Sequence, residues 1–353
     1  MLKDEEIKKF IEGKVVLVTG GTGSFGNAVV KKLLPLNPKQ IIVYSRDEKK
    51  QFDMANTFAN SDGKLRFFIG DVRDAARVNY IMKTVDIVFQ AAALKQVPNC
   101  EFFPVEALMT NTIGVHNIVS AAAHHDVERV VVLSTDKACY PVNVMGMTKA
   151  LSERVMIAQS REHEGRTAFC GTRYGNVMYT RGSVIPFFID LMKQGKQLIM
   201  TNRNMTRFMM PLDESVDLVL YAMAHGKSGE IYVRKSPAVT IGNLTKALAD
   251  LFSYDKEIKE IGTRPGEKLH ETLITSEEAV RVEDCGEYYK INPEVPKMDM
   301  KKYYFNSAEK GSIVPSDGYT SANTRLLTVA ETKEMLLALP EVQEELKNWK
   351  KKS

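Results

Sequence analysis

Three consecutive residues, Thr135-Asp136-Lys137, offer a hydroxyl, a carboxyl and an amine directly after the apolar run Val130-Val131-Val132-Leu133 and Ser134. Such groups donate, accept and carry protons. Polar residues at a strand end in an open parallel sheet project into the ligand crevice. Ten residues past Thr135 comes Met145-Gly146-Met147-Thr148-Lys149, and from Lys149 a helical pattern runs through Ile157. Lys149 would reach from that helix into the same crevice.

A second constellation precedes it. Thr19-Gly20-Gly21-Thr22-Gly23-Ser24-Phe25-Gly26 follows the first apolar run and opens the first helical pattern. Glycines at 20, 23 and 26 permit a tight turn, close approach of the backbone to a pyrophosphate, and close packing of helix on strand. The helix N-terminus presents free N–H groups and the positive dipole end to phosphate. The second run ends in Tyr44-Ser45-Arg46-Asp47-Glu48-Lys49. An NAD-selective site places an acid here. Ser45 and Arg46 stand in its place, and an arginine fork suits the 2′-phosphate of NADP. Asp47 reads as a helix N-cap. Asp71-Val72, ending the third run, reads as an adenine contact or as another strand-end cap.

The elements that must position these groups are legible as a rhythm. Val15–Val18, Ile41–Tyr44, Leu65–Ile69, Ile87–Phe89 and Val130–Leu133 are short apolar runs alternating with helical patterns, the last of about twenty residues. This predicts βαβ units around a parallel sheet buried on both faces. The fold class expected is α/β: a Rossmann-like doubly wound parallel sheet with helices on both faces, plus a smaller interleaved C-terminal substrate-binding domain. Residues 1–178 form the nucleotide-binding part, with a return to the sheet at 211–237 through Ile231–Val233. Residues 179–210 and 238–353 form the cap, with a long excursion over 284–316.

The chain has 353 residues, enough for about two domains. Its 48 basic and 44 acidic residues leave a net charge of only +4, which argues against a nucleic-acid-coating protein. The four cysteines show no metal-ligand spacing, so reduced thiols and no metal site are expected. The charged N-terminal segment lacks the apolar core of a signal peptide, and no apolar stretch is long enough to span a bilayer. A soluble cytoplasmic protein without membrane partners is predicted.

The glycine turn, the strand-end threonine and the Lys149 helix resemble the extended short-chain dehydrogenases/reductases, a family marked by a Tyr-x-x-x-Lys pair and a Ser or Thr. Further segments are similar to the UDP-N-acetylglucosamine 4,6-dehydratases within it. They are Ala91-Ala92-Ala93-Leu94-Lys95, Asn111-Thr112-Ile113-Gly114, Ser134–Lys137 and Arg173-Tyr174-Gly175-Asn176-Val177. Others are Arg181-Gly182-Ser183-Val184-Ile185-Pro186, Thr206-Arg207-Phe208 and Arg264-Pro265-Gly266-Glu267-Lys268. Met145 holds the tyrosine position, and methionine is neither acid nor base. That replacement resembles the subgroup of capsule and O-antigen polysaccharide enzymes that make 2-acetamido-2,6-dideoxy-L-hexulose nucleotides. Gln90 and Gln96 stand where close relatives often carry histidine.

The resemblance implies an internal redox cycle on a UDP-sugar. Hydride leaves C-4, water is lost across C-5 and C-6, hydride returns to C-6, and C-5 is reprotonated with inversion. By similarity Lys137 is the base at C-5 and Asp136 the acid at C-6, so Lys137 must be at least transiently neutral and Asp136 must be protonated or share a proton. A dry cleft and neighbouring charge are expected to shift both in those directions. Lys149 would orient the ribose, and Thr135 would bond the C-4 hydroxyl. The base replacing the tyrosine is a water held by Lys149, or Asp136, or Lys137; Tyr140 reads as a packed loop residue.

Cofactor contacts implied are Gly20, Thr22, Gly23, Ser24, Phe25, Gly26, Ser45, Arg46, Lys49, Asp71, Val72, Ala91–Ala93, Lys95, Asn111 and Lys149. Substrate contacts are Lys95, Asn176, Val184, Pro186, Arg207, Arg264 and Glu267, the two arginines facing the diphosphate. A homo-oligomer is implied, with 284–316 reaching a neighbour. Two other readings compete: a UDP-sugar 4-epimerase, which needs no acid–base pair at C-5 and C-6, and a non-catalytic NADP-binding regulator.

Overall fold

The protein is described by a computed structural model covering residues 2–163, 166–180, 182–294 and 313–351. Among these, nine strands build the main sheet: β1 Val15–Thr19, β2 Gln40–Ser45, β3 Leu65–Ile69, β4 Ile87–Gln90, β5 Arg129–Leu133, β6 Ala168–Arg173, β7 Ile231–Arg234, β8 Val282–Asp284 and β9 Tyr288–Ile291. Their spatial order is β8-β9-β7-β6-β5-β4-β1-β2-β3. β1 to β7 pair in parallel; β9 runs antiparallel to β7 and β8. The chain winds outward from β1 through β2 to β3, then restarts at β4 on the other side. That reversal between β1 and β4 is where an open α/β sheet opens its crevice.

Alternate residues of the central strands face opposite cores. Leu17, Ile42, Val88 and Val130 pack with Ile118, Val119 and Ala122 of the helix Gly114–His124. Val16, Val18, Val43 and Val131 pack with Val29, Val30 and Leu33 of the helix Ser24–Leu33, and with Val216 and Val219 of Leu212–His225. Each such side chain withdrawn from water contributes about 1.5–3 kcal/mol, which explains strands apolar on both faces. β3 departs from this: it is an edge strand, only half-buried, with Arg66 and Ile69 exposed.

The pattern read as one helix between β4 and β5 is divided. Val97–Phe102 and Pro104–Leu108 are separate helices, since a proline is tolerated in a first turn and not within a continuing helix. A single π-turn, Met109–Ile113, then leads into Gly114–His124. The helix carrying Lys149 runs from Val144 to Glu162; it starts earlier than its pattern because Asn143 caps it by accepting from Gly146 N at 2.8 Å.

A third core joins Phe188, Ile189, Leu244, Leu248, Phe252 and Leu336, from helices Val184–Lys193, Ile241–Leu251 and Val329–Leu337. Short strands frame it: Ala238–Thr240, Thr206–Met210 and Asn176–Val177 form one small sheet, and Thr272–Ile274 pairs with Tyr319–Thr320. The stretch expected as an excursion, 284–316, begins inside the β8–β9 hairpin on the main sheet. Its residues 295–312 lie outside the described residues.

Candidate active site at the sheet crevice

The glycine turn forms where β1 meets the helix Ser24–Leu33. Gly20 adopts φ +61°, and a Cβ there would stand 2.9 Å from Ala92 Cα, so the loops after β1 and β4 touch at the switch point. A Cβ on Gly26 would fall 2.3 Å from Gly21 Cα, which is why helix and turn close so tightly. Gly23 is the helix N-cap with no side-chain cap, and the first turn carries no acid. Donors and dipole therefore face outward for an anion.

Beside this turn lies a cavity of about 510 Å³ lined by Gly20, Thr22, Ser45, Arg46, Asp71, Val72, Ala92 and Ala93. Glycines that leave room for phosphate, with an arginine at the end of β2, fit an adenine dinucleotide. Phe25 stacks on Tyr174 near the turn, at 6.2 Å between centroids. Asp47 caps the helix Glu48–Thr57 through Lys50 N at 3.0 Å, as its position predicts.

Lys49 does not line the cavity: it is 84 % exposed and pairs with Asp53 at 3.0 Å. One residue along, about 100° round the helix, Lys50 takes the lining place. Asp71 is tied to Arg73 at 2.7 Å and lies 3.4 Å from Arg46. Despite partial burial, Arg73 holds the Asp71 carboxyl below its usual range. Asp71 also accepts from Arg73 N at 3.0 Å, the strand-end cap.

At the end of β5 the strand-end residues converge. Asp136 is 0 % exposed. Its Oδ1 accepts from Thr135 Oγ1 at 2.9 Å and from Lys137 Nζ at 2.9 Å. Its Oδ2 is buried and finds no hydrogen-bond partner among the described residues. Gly175 passes close by, where a Cβ would stand 3.4 Å from that oxygen. Its neighbour Asn176 also buries an unpartnered Oδ1.

Lys137 departs from the expected direction. Burial disfavours its charge, yet the carboxylates of Asp136 and Glu271 outweigh burial and hold the amine above the usual lysine range. Lys137 is therefore an ammonium in this arrangement. Lys149 goes the other way: burial brings its amine down to about 8, against a smaller upward pull from Glu153.

Met145 lies one helical turn before Lys149, in an apolar cluster with Cys100 and Ala107. It supplies packing where a tyrosine would supply a hydroxyl. Asn111, in the π-turn, bonds the main chain of Leu94 and reaches Thr148 Oγ1 at 3.0 Å. It braces the loop before Lys95 to the Lys149 helix. Lys95 itself is exposed, with its amine drawn down by partial desolvation.

Arg207 sits 3.8 Å from Glu271. Arg264 is exposed on a turn that Glu267 closes by accepting from Arg264 N at 3.4 Å, so Glu267 serves the turn. Val184 and Pro186 open the helix Val184–Lys193, both half-buried, while Arg181 lies outside the described residues. Sequence reasoning gave no role to Glu271, Asn143 or Lys50, and quoted Lys268 only as the end of the Arg264–Lys268 segment. Lys268 donates to Cys139 O and Asn143 to Gly266 O at 2.9 Å, clamping the 264–268 turn onto the loop after β5. The closeness of Glu271 to the Arg-Pro-Gly-Glu-Lys segment was the one available signal.

Glycine cradle, reversed strand order and strand-end cluster define an enzyme on the Rossmann-like fold of the extended short-chain dehydrogenases/reductases. A protein of Rickettsia canadensis named UDP-glucose 4-epimerase is 53 % identical over 95 % of this chain and 98 % of its own. The structure of Pen from Bacillus thuringiensis is 33 % identical, with a TM-score of 0.84 over 94 % of this chain and 100 % of its own. DesIV, a dTDP-glucose 4,6-dehydratase from Streptomyces venezuelae solved with NAD and TYD bound, is 26 % identical, with a TM-score of 0.67 over 72 % and 86 %. The chain belongs to the polysaccharide biosynthesis protein family, whose profile matches residues 16–293 and whose C-terminal profile matches 301–343. It is an enzyme of the nucleotide-sugar dehydratase and epimerase class. No helix among the described residues is long and apolar enough to cross a membrane.

Proposed function

We propose that the chain is a UDP-N-acetylglucosamine 4,6-dehydratase that inverts C-5 and works with bound NADP. The observation that carries this reading is the cluster of Thr135 and Lys137 about the buried Asp136, with one carboxylate oxygen engaged and the other unpartnered. When bound, NADP supplies the acceptor and donor of hydride at C-4 and C-6. Gly20, Gly23 and the helix N-terminus would hold its pyrophosphate, and Arg46 with Lys50 its 2′-phosphate.

The remaining chemistry belongs to the chain. Passing one proton from Lys137 Nζ to Asp136 Oδ1 along their 2.9 Å bond leaves a neutral amine and a protonated carboxyl. Those are the two forms that elimination needs: the amine takes the C-5 proton, and the carboxyl delivers its proton to the leaving C-6 oxygen. The transfer conserves the charge of the pair, so the neutral amine forms within the site with no proton exchanged with solvent. The Thr135 hydroxyl donates its hydrogen bond to Asp136 Oδ1, which leaves its oxygen as an acceptor for the C-4 hydroxyl. Lys149, near the middle of its titration at about pH 8, is suited to lowering the cost of removing that hydroxyl's proton. Asn176 and Arg207 would bind the nucleotide end through charge-assisted and amide bonds.

The second reading, a UDP-sugar 4-epimerase, is favoured by the name of the Rickettsia relative. It leaves the Asp136–Lys137 pair without a task. Incubation with UDP-N-acetylglucosamine, and separately UDP-glucose, in D₂O decides between them by NMR and mass spectrometry. A 6-deoxy-4-keto nucleotide with deuterium at C-5 and the L configuration supports the dehydratase. A C-4 epimer with no loss of water supports the epimerase. Protein that binds NADP and converts neither sugar returns the non-catalytic reading.

A further inference from the structure

Glu271 is a carboxylate that the mechanism above does not use, yet it is 3 % exposed and stands in the middle of the charged cluster. Its Oε1 lies 3.5 Å from Lys137 Nζ and 3.8 Å from Arg207 Nε, and its Oε2 lies 3.8 Å from Lys268 Nζ. None of these is a formed hydrogen bond, and Oε2 is buried without a hydrogen-bond partner among the described residues. Its main chain is held firmly, with Glu271 N donating to Ser321 Oγ at 2.8 Å. A buried carboxylate surrounded by three cations at ion-pair distance acts on them through its field.

We propose that Glu271 is a positioning residue that governs the proton on Lys137, holding Nζ between itself and Asp136 and sharing its charge with Arg207 and Lys268. This rests on the proposed elimination at C-5 and C-6 and adds a control to it. Asp136 touches Lys137 directly and faces the unpartnered side of the crevice; Glu271 stands behind, on the segment following the Arg264–Lys268 turn. Its negative charge sets how readily Nζ releases a proton to Asp136. Arg207, which the proposed function assigns to the nucleotide end, weakens that hold by drawing on the same oxygen. The charged and titratable groups facing this pair are Asp136, Arg207 and Lys268, with His270 adjacent and bonded to Thr206 Oγ1 at 2.8 Å.

The test is the proton affinity of Lys137 read independently of turnover. The side chain is 21 % exposed, so brief acetic anhydride labelling of the full-length, NADP-loaded protein across a pH series reports its neutral fraction by peptide mass spectrometry. Glu271→Gln keeps shape and removes charge, and the Lys137 midpoint is expected to fall by about 1–3 pH units. Glu271→Asp keeps the charge and should stay near wild type. Arg207→Met should move the midpoint upward, and it supplies the answer if Glu271→Gln does not fold. In parallel, the acidic limb of C-5 deuterium incorporation should shift downward in Glu271→Gln, which a merely structural carboxylate would not cause. A Lys137 midpoint unmoved by Glu271→Gln, or by Arg207→Met where the former is unstable, overturns the proposal. Wild-type protein that labels as expected but never dehydrates UDP-N-acetylglucosamine sinks the functional reading, while the labelling still decides the role of Glu271.

Discussion

Lys149 Nζ donates its hydrogen bond to the carbonyl oxygen of Leu133, the last residue of β5. The lysine is 7 % exposed, and the bond ties the helix Val144–Glu162 to the strand that delivers Thr135–Lys137. Because burial lowers its amine from 10.5 to about 8, the folded state carries fewer protons than the unfolded chain between those values. Stability contributed through this group therefore rises with pH across that window and is flat below it. The difference in unfolding free energy between wild type and Lys149→Met should grow by up to about 1.4 kcal/mol per pH unit from pH 8 toward 10. Urea midpoints at three pH values check it, and a difference that stays constant refutes it.

Cofactor choice should hang on Arg46. Replacing Arg46 by Ala is expected to weaken NADP binding at least tenfold and leave NAD binding nearly unchanged, as the loss of one charge-assisted contact implies. Lys50→Ala should weaken NADP in the same sense. Lys49→Ala should alter neither, because that side chain points away from the cavity. Calorimetric titrations with both dinucleotides distinguish these cases.

Two glycines of the same turn should behave differently. A methyl at Gly26 collides with Gly21 main chain at 2.3 Å, so Gly26→Ala should cost about 1–3 kcal/mol or more of stability. Gly23 has φ −75°, and a methyl there meets only Gly20 O at 3.4 Å. Gly23→Ala should melt as wild type does and bind dinucleotide poorly, since the methyl stands where phosphate approaches the helix end. Thermal melts with and without NADP report both effects.

Arg173 is enclosed by two acids: Nη2 reaches Glu153 at 2.6 Å and Nη1 reaches Glu278 at 2.6 Å, all three side chains almost fully buried. Removing one member strands the others. Arg173→Met should lower stability by about 3–5 kcal/mol. Adding Glu153→Gln and Glu278→Gln to it should restore part of the loss by removing the uncompensated charges. Urea denaturation of the single and triple variants measures the recovery.

The runs at Val15, Ile41, Ile87 and Val130 are strands of the sheet, and Ile231–Val233 returns to it, because burial on both faces leaves an unbroken apolar signature; the Leu65 run is a strand too, but a half-buried edge strand interrupted by Arg66. The glycine turn and the strand-end residues of the candidate site were legible because each is local in sequence. Asp136 and Lys137 were readable as a pair, but the direction of Lys137's charge was not. Burial opposes that charge, and the pull of the adjacent Asp136, joined by that of Glu271, which only the tertiary fold brings near, outweighs it. The π-turn at Met109–Ile113 carries no propensity signal either; it is a local accommodation that lets Asn111 reach both Leu94 and Thr148. Strands β8 and β9 escaped notice because strands of three and four residues, Val-Glu-Asp and Tyr-Tyr-Lys-Ile, are too short to show periodicity.

The clamp of the 264–268 turn upon the loop after β5 has a kinetic meaning. The residues that line the proposed dinucleotide cavity run from Gly20 to Thr110, whereas Lys137 meets Glu271 only after a far longer loop has closed. Closing that loop is entropically costly, and contacts of such wide sequence separation form slowly. During refolding, the nucleotide cradle should therefore mature before the proton-transfer centre. The chain would pass through a stage at which it grips its dinucleotide yet has no assembled machinery to act on a sugar.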